Sequence, residues 1–336
     1  MTIKDLAAKT GYAVGTVSRA LNDHPNVSEK ARKIILRAAA ESGFQMNVNA
    51  KQLKQQHSTT ILVVVKGIGN ELFSEMVECI QYLISKTRYQ LVVDYIDEDL
   101  NEVIRAVQLC REKKPRGVLF LGGNSQFFAR DFDKIDVPCV LVTNNASDLG
   151  FDNLSSVSTD DLAAARCAID TLVGLGHSHI AIIGGNRTVS LTSRLRYEGC
   201  LQAFRDHGIP FNPETDYQGV RFSYQDGYQA TKALLAGGQT FTAIFAVADV
   251  MAIGAIRALW ENGLRVPEDV SVMGVDGLSM GTYLVPQLAT IRQPARQMAQ
   301  RSVQMLLTAI EDGAKATHET IPFDIQIRES IRNIRK

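Results

Sequence analysis

Three short runs of hydrophobic residues at helical spacing stand at the start of the chain. The first run consists of Ile3, Leu6 and Ala7, which share one face of a helix. Thr2 precedes the run and Asp5 lies three residues after Thr2, which is the spacing of a capping box that satisfies backbone donors at a helix start. The pattern predicts a short helix that begins just after Thr2.

A second short helix follows a glycine. Gly11 interrupts the first pattern, and Val14, Val17, Ala20 and Leu21 then share a face. Two short helices joined by a tight, glycine-containing turn are typical of a helix-turn-helix. In that motif the second helix lies in the DNA major groove with its N-terminal side chains at base edges. On periodicity alone, a helical hairpin that touches no DNA is an equal alternative.

The third run predicts a helix between Ser28 and Ser42. Ser28 is a favoured N-terminal cap, and Gly43 is a favoured residue just beyond a helix C-terminus. The face expected to be buried comprises Ala31, Ile34, Ile35 and Ala38. Three such helices can close a small all-α domain, which we expect to span residues 1–46.

From residue 61 onward, short hydrophobic runs of strand length alternate with helical patterns. The run Ile61–Val65 is continuous and rich in β-branched residues, as expected of a parallel strand that is buried on both faces. Because the alternation occurs as two consecutive blocks, it predicts two doubly wound α/β lobes. Ligands of such sheets bind beyond the carboxyl ends of the strands, which places a site in a cleft between the lobes. The predicted strands are 61–65, 91–94, 117–121, 137–143, 155–158, 179–184, 243–247 and 270–274.

The charge of the chain is divided unevenly, although the formal net charge is zero. Residues 1–57 hold nine Lys and Arg against four acids, a balance of +5, so the rest of the chain carries −5. A basic N-terminal segment on an acidic body is typical of a nucleic-acid-binding arm, and a solvated helical surface is the alternative. The five cysteines are far apart and form no C-x-x-C pair, which favours reduced thiols in a cytoplasmic protein.

The N-terminal segment resembles the DNA-binding headpiece of the LacI/GalR family of bacterial repressors. The family pattern I-K-D-V-A, G and T-V-S-R-x-L-N is matched by Ile3–Ala7, Gly11 and Thr16–Asn22, and the match continues at Val27–Glu29 and Gly43–Phe44. The resemblance implies a helix-turn-helix headpiece that reads a DNA operator. The residues that it assigns to DNA contact are Thr2, Val14, Gly15, Thr16, Ser18, Arg19, Asn22, Lys51 and Leu53.

Two features of the second helix depart from the family or narrow its chemistry. Tyr12-Ala13 stands where the family usually has Val-Ser, and the loss of a serine cap costs about 1 kcal/mol of local stability. The specificity pair is Val14-Gly15, and neither side chain can donate a hydrogen bond to a base edge. We therefore expect apolar readout, such as Val14 against a thymine methyl group.

Residues 47–58 connect the headpiece to the α/β region. They are polar apart from Val48, Ala50 and Leu53 and hold two lysines without an acid, a composition that by itself favours a flexible linker. The family resemblance instead implies a hinge helix that forms on DNA in the dimer. In that helix Leu53 would enter the minor groove as a wedge that kinks the duplex. Met46 replaces the family proline ahead of the hinge, which loosens its start.

The resemblance continues through the α/β region to about Ser330. Family motifs recur in order at 175–185, 243–259, 263–272 and 290–294. They imply a periplasmic-binding-protein-like effector domain of two doubly wound parallel sheets over residues 59–336. Its first lobe would comprise about 59–158 and 291–320, and its second lobe about 159–290 and 321–336.

By this resemblance the cleft binds a small effector, and a carbohydrate is the expected class. Arg196 offers a planar fork of donors to hydroxyls or a carboxylate, while Asp276 accepts from sugar hydroxyls. The aromatic residues of the set could instead be ordinary core residues, and Asp249 could simply cap the helix that it begins. Ala248 and Gly277 replace polar residues common in the family, which leaves fewer polar groups for a hexose. The implied contacts are Leu72, Phe73, Arg196, Phe222, Asp249 and Asp276.

The motifs of enzymes and metal sites are incomplete in this sequence. Gly67-Ile68-Gly69 follows a predicted strand, but Leu72 stands where a dinucleotide fingerprint needs its third glycine. The sequence contains neither G-x-x-x-x-G-K-[ST] nor G-x-S-x-G. His177 and His179 have no partner motif that would complete a metal site. We expect no enzymatic activity, cofactor or metal.

The resemblance as a whole implies a cytoplasmic, homodimeric repressor that binds double-stranded DNA at a pseudo-palindromic operator and a small effector. No run approaches the ~18 apolar residues of a membrane span, and no apolar signal segment is seen at the start. The alternative is a two-lobed sugar-binding protein without direct DNA readout, whose periplasmic form would need a signal peptide and no headpiece. A dimer is favoured over a tetramer because no heptad tail follows Arg328.

Overall fold

The computed structural model describes residues 2–21, 26–42, 59–238 and 240–335. The chain divides into two units, Met1–Ser58 and Thr59–Lys336. Within the described ranges, no helix is both long enough and apolar enough to cross a membrane.

Helices make up the described part of the first unit, and their ends lie where the sequence satisfies the backbone. The capping box predicted at Thr2 is confirmed, since the Asp5 amide donates to Thr2 Oγ1 (3.3 Å) and the Thr2 amide donates to Asp5 Oδ2 (2.7 Å). Gly11 ends the first helix with a φ of 70°, a left-handed conformation that favours glycine. The helices are α1 (Ile3–Thr10), α2 (Val14–Leu21) and α3 (Glu29–Glu41).

A small hydrophobic core joins these three helices, with Leu6, Val17 and Ile35 fully buried at its centre. The predicted buried face of α3 is partly wrong, because Ile34 is 41% exposed while Ala39 is buried. The other two helices cover only a narrow stripe of α3, so a position beside that stripe faces solvent even though its spacing fits a broader face. Gly43, predicted to end α3, lies outside the described residues.

The first lobe of the second unit is a parallel sheet flanked by helices. In the described part of the chain its spatial order is β11-β5-β4-β3-β1-β2. Its strands are β1 (Thr60–Lys66), β2 (Gln90–Ile96), β3 (Gly117–Leu121), β4 (Cys139–Val142), β5 (Leu154–Ser158) and β11 (His318–Thr320). Its helices are α4 (Glu71–Ile84), α5 (Glu102–Lys113), α6 (Ser125–Asp131) and α11 (Ala295–Asp312).

The second lobe repeats this plan. Its described strands have the order β12-β10-β9-β8-β6-β7, and β12 runs antiparallel to β10 while the other neighbours are parallel. The strands are β6 (Ile180–Gly184), β7 (Tyr217–Gly219), β8 (Ala243–Ala246), β9 (Ser271–Asp276), β10 (Ala289–Arg292) and β12 (Asp324–Gln326). The helices are α7 (Asp161–Gly174), α8 (Leu191–Asp206), α9 (Tyr224–Ala236) and α10 (Asp249–Glu261).

The two predicted doubly wound lobes are confirmed, and the chain passes between them after β5, after β10 and after β11. Four short elements, α6, β7, β10 and β11, were not predicted, and neither was the helix α11. Two of them are strands of three residues, which is too short for a hydrophobic period to show. Their pairing with longer neighbours determines that they are strands.

Strand β1 illustrates why the core residues could be predicted. Ile61, Val63 and Val65 pack into one hydrophobic cluster and Leu62 and Val64 into another, and all five side chains are fully buried. Successive side chains of a strand point to opposite faces, so a run without polar residues must be covered on both sides. Each such side chain contributes roughly 1.5–3 kcal/mol by leaving water.

Candidate functional site

A cavity of about 630 Å³ opens between the two sheets of the second unit. Its wall is formed largely by residues at or just after the carboxyl ends of β1, β2, β3, β4, β7, β9 and β10. Both sheets therefore present their carboxyl ends to one space, which is where ligands of doubly wound folds bind. Polar backbone and side-chain groups gather there because the strands stop being buried at those ends.

The first-lobe wall includes the start of α4. Asn70 caps this helix by accepting a hydrogen bond from the Leu72 amide (3.1 Å). Leu72 and Phe73 both line the cavity but are buried. The Phe73 ring lies against Gly122, where a Cβ atom would come within 3.0 Å of its Cζ atom. Leu72 and Phe73 therefore belong mainly to the hydrophobic core, and only a small part of each side chain is exposed to a ligand.

The second-lobe wall is centred on the buried guanidinium of Arg196. Its Nε donates to Asp161 Oδ1 (2.8 Å), and its Nη1 donates to the carbonyl of Val247 and lies 3.9 Å from Asp276 Oδ1. One side chain therefore ties α7, α8, β9 and the residue after β8 together. A buried charge needs such partners, because an unpaired one is expensive to desolvate.

Asp276 ends β9 and faces the cavity with its backbone at a φ of 123°. Its Oδ1 accepts a hydrogen bond from Gln293 Nε2 (2.8 Å), and Gln293 Oε1 accepts one from Thr159 (2.9 Å). Burial raises the pKa of Asp276 to about 6, and the Arg196 charge opposes that rise. The carboxylate is thus ionised at neutral pH.

Backbone strain also marks this wall. Of the three non-glycine residues with positive φ in the described ranges, Thr143 and Asp276 line the cavity. Such conformations cost of order 1–3 kcal/mol and concentrate at functional sites. Both residues lie at the carboxyl end of a strand, and the backbone turn made there places them in the cavity wall.

Asp249 does not line the cavity. It is fully buried, and its carboxylate accepts hydrogen bonds from Thr290 Oγ1 (2.7 Å) and from the Leu278 amide (2.7 Å). Burial and then the neighbouring charge of Asp276 raise its pKa well above the ordinary value. The structure places it behind the wall, where it joins the start of α10 to β10 and the loop after β9.

The sequence set is therefore brought together with one exception. Phe222 follows β7, is half-buried, and packs over Gly185, where a Cβ atom would lie 2.6 Å from the ring. It faces the cavity from the second lobe. The residues of the set that line the cavity are Leu72, Phe73, Arg196, Phe222 and Asp276.

Several polar wall residues were missed. Lys66, Asn124, Asn144 and Gln293 directly follow strands or lie within three residues of a strand end. For Lys66, Asn124 and Asn144 the position at a carboxyl end was a usable signal, because β1, β3 and β4 were predicted. Gln293 gave no such signal, because it follows β10, which was not predicted. Arg221 carried no such signal, since β7 is too short to recognise in the sequence.

Contacts across the cleft join the lobes. Arg221 of the second lobe donates to Asp97 Oδ1 (2.6 Å) and Glu98 Oε1 (2.7 Å) of the first. The hydroxyl of Tyr224 donates to Glu71, again from the second lobe to the first. We call these partly exposed contacts the rim of the cavity, and they connect the two lobes directly.

The predicted DNA-contact residues fall into two groups. Val14 (40% exposed), Gly15, Arg19 and Thr2 are exposed, and Thr16 and Ser18 are partly exposed on the same helix. Arg19 Nε donates to the Gly15 carbonyl (3.1 Å), which orients its guanidinium along the helix surface. The opposite face carries the buried Val17 and Ala20. Asn22, Lys51 and Leu53 lie outside the described residues.

The described residues contain no cluster of three or more groups suited to hold a metal ion. His177, one of the two histidines considered for such a site, is buried. One ring nitrogen lies 2.9 Å from Thr242 Oγ1, and the other lies 3.2 Å from the Arg332 carbonyl. These contacts tie the start of β6 to the chain's final segment, a structural arrangement.

Two family models match the chain. The model for bacterial regulatory proteins of the lacI family matches residues 2–47, and the model for the periplasmic binding protein-like domain matches residues 169–331. The first range covers the helix-turn-helix, and the second covers most of the second lobe together with α11 and β11.

Relatives match along the whole chain. The HTH-type transcriptional regulator MalR of Clostridium butyricum is 34% identical over 337 residues, which cover 99% of this chain and 100% of that protein. The lac repressor dimer bound to operator and the anti-inducer ONPF has a TM-score of 0.79 at 27% identity, with 99% of both chains covered. The complex of the transcriptional regulator CelR with cellobiose has a TM-score of 0.70 at 26% identity, covering 98% of this chain and 99% of that one.

The raised pKa of Asp276 predicts a pH-dependent difference between the protein and its Asp276→Asn variant. The folded state holds the Asp276 proton up to a pKa of about 6, against an ordinary value of 3.8, so ionisation between those values destabilises the fold. Between about pH 4 and pH 7 the parent should lose ~2 kcal/mol of unfolding free energy relative to the variant. Urea unfolding of both proteins at several pH values measures their unfolding free energies. A difference between the two free energies that does not change with pH would contradict the prediction.

Proposed function

The chain belongs to the LacI family of bacterial regulatory proteins, and on that premise we propose that it represses transcription from a pseudo-palindromic operator until a carbohydrate binds between its lobes. It is a DNA-binding transcriptional regulator of the helix-turn-helix type. One observation carries the effector part of the proposal: the chain that holds the helix-turn-helix also holds a polar cavity between two lobes. DNA readout and ligand sensing are thereby present in one molecule.

The exposed face of α2 supports the DNA-reading role. Val14 offers methyl groups to a thymine methyl, and Gly15 lets the helix approach the bases closely. Arg19, Ser18 and Thr16 offer donors to phosphates or base edges on the same helix. In a homodimer, two such helices would meet two half-sites of a pseudo-palindrome one helical turn apart.

The cavity wall supports a polyhydroxylated effector. Asp276 accepts hydrogen bonds, Asn124 and Asn144 both donate and accept, and Phe222 offers an apolar ring face to a sugar ring. A cavity of about 630 Å³ could hold ~20 waters at their liquid volume, which leaves room for more than one sugar ring. The CelR structure holds cellobiose in a protein of the same fold.

Control of DNA binding requires that the effector binds two states of the protein with different affinity. In this proposal the ligand changes how the lobes meet, and Arg221 and Tyr224 are the cross-cleft contacts that would rearrange. Operator affinity then falls, because the effector favours the state that binds DNA less tightly.

In vitro selection of DNA sites with the purified full-length protein tests the regulatory function. We expect an enriched pseudo-palindrome, and Val14→Ala should relax the preference at one symmetric pair of positions, because a mismatched base pair in a specific site typically costs about 1–3 kcal/mol. Random DNA after repeated rounds, with and without sugars present, would contradict sequence-specific regulation.

Phe222→Ala should weaken the effector response about tenfold or more while operator affinity without effector stays unchanged. The ring supplies apolar contact to the ligand, and a buried aromatic contact is worth ~1.5–3 kcal/mol. Fluorescence anisotropy of labelled operator, titrated with an active sugar, measures this response. Tyr228→Ala removes a half-buried aromatic that does not line the cavity and serves as control, and an equal loss in both variants would contradict the pocket role of Phe222.

An exposed apolar surface on the second lobe supports the homodimer. Tyr283 and Val285 are 82% and 95% exposed, and Met280 and Ile327 are exposed as well. Their segments adjoin, because Arg328 Nη1 donates to the Leu288 carbonyl (3.0 Å) and the Leu288 amide donates to the Gly281 carbonyl (2.9 Å). Clustered apolar side chains on a surface favour contact with another protein surface.

Tyr283→Asp should shift the protein from dimer to monomer and lower operator affinity, because a charge would be desolvated in the interface. Tyr283→Phe keeps the apolar ring and should remain dimeric. Sedimentation velocity of the three proteins at equal concentration measures the assembly state. If Tyr283→Asp sediments like the parent, this surface is not the dimer contact.

A further inference from the structure

The cavity wall carries more carboxylates than cations. Among the residues that the structure describes, three cations line the cavity, namely Lys66, Arg196 and Arg221. Five carboxylates line it, namely Asp97, Glu98, Asp99, Asp226 and Asp276. This excess of acids disfavours an anionic ligand only if each cation is already neutralised by a carboxylate of the protein. The ion pairs of the wall show whether that is so.

Arg196 is already outnumbered by acids. Its Nε donates to Asp161 at 2.8 Å, and Asp276 lies 3.9 Å from its Nη1. Asp161 and Asp276 are both buried beside it. A ligand carboxylate that approached this guanidinium would also approach the carboxylate of Asp276, which repels it. The positive charge of Arg196 is already balanced by Asp161 and Asp276.

Lys66 is neutralised in the same way. Its ammonium group donates to Glu102, whose side chain is fully buried. The second oxygen of Glu102 accepts a hydrogen bond from the Asn124 amide (2.5 Å). The pair is therefore held in place by the backbone and does not offer Lys66 as a free cation to a ligand.

Arg221 at the rim pairs with three acids. Its guanidinium contacts Asp97 and Glu98 at 2.6 and 2.7 Å and lies 3.7 Å from Asp99. No cation of the described wall is thus left with an excess of positive charge. Hydroxyl groups can still bind each of these ion pairs, because a hydroxyl both donates and accepts.

We propose that the cleft binds polyhydroxylated ligands that are uncharged or cationic, that it rejects uronates and sugar phosphates, and that Asp276 is the residue that sets this preference. The inference rests on the proposed effector function of the cleft and narrows its ligand class. Arg196 taken alone would suit a carboxylate as well as a hydroxyl, and the surrounding acids remove the first option. An anionic ligand should bind at least tenfold more weakly than its uncharged counterpart.

Binding to the full-length protein at about pH 7 tests the ligand class, since Asp276 is then ionised. The probes are matched sets that keep the sugar ring and differ mainly in charge: glucose, glucuronate, glucose 6-phosphate and glucosamine, and the galactose equivalents. Isothermal titration gives each dissociation constant. We expect at least one uncharged or amino member to bind, with its acidic or phosphorylated counterpart at least tenfold weaker.

The Asp276→Asn variant tests the residue assignment. Asparagine tolerates positive φ and keeps an oxygen that can accept from Gln293, so the local fold is retained. The affinity ratio of neutral to anionic member should fall at least threefold. Asp206→Asn is the control, because Asp206 pairs with Arg166 on the surface and lies ten residues, or about 15 Å, further along α8 than Arg196.

The possible failures are distinguishable. An acidic or phosphorylated member that binds as tightly as its neutral counterpart overturns the charge preference while leaving the effector function intact. An equal change of the ratio in Asp206→Asn and Asp276→Asn overturns the role of Asp276. If no uncharged or cationic member binds and none releases the operator, the proposed carbohydrate effector fails and this inference fails with it.

Discussion

The second lobe's half of the cleft depends on the buried ion pair between Arg196 and Asp161. The two residues come from α8 and α7, and the same guanidinium reaches the carbonyl of Val247 after β8 and approaches Asp276 at the end of β9. Breaking a buried pair by removing one partner typically costs about 3–5 kcal/mol, because the other charge is left without compensation. We call the part of the second-lobe wall around Arg196 the floor of the cavity. Its geometry is a consequence of folding and exists before any ligand binds.

A second buried acid, Asp249, supports that floor from behind. Asp249 lies behind Asp276 and holds β10 and the loop after β9 through Thr290 and Leu278. Burial favours the protonated form of both carboxyls, and the two charges oppose each other. The cavity is consequently polar but poor in available positive charge. A hydroxyl group suits it, because a hydroxyl can satisfy donors and acceptors without adding a charge.

The rim has a different physical character from the floor. Arg221, Asp97 and Glu98 are partly exposed, so their contacts are weakened by solvent screening and contribute little to stability. Weak contacts across a cleft are suited to a rearrangement, whereas the buried contacts of Arg196 are not. The molecule thus combines a rigid floor within one lobe with exchangeable contacts between lobes, and a ligand that favours one arrangement of the lobes shifts the population accordingly.

The sequence by itself determined the elements with strong periodicity and the residues at their ends. Ile61–Val65 could only be a strand buried on both faces, the Thr2–Asp5 spacing announced a helix start, and the family motifs pointed to Arg196, Phe222 and Asp276, which the structure brings to the cavity wall. These features are local, because a hydrophobic period or a cap is written in neighbouring residues. A family motif additionally indicates which residues face the ligand site, but it does not say which other residues they contact.

Only the tertiary structure decided which of these residues share a surface and what each one touches. It left Ile34 exposed because a narrow stripe of α3 is covered, and it placed Asp249 behind the wall because β10 and the loop after β9 take its hydrogen bonds. It also brought Arg221 to acids more than 120 residues earlier in the chain. Burial, charge compensation and contacts across the cleft depend on segments distant in sequence, and a local pattern carries no record of them.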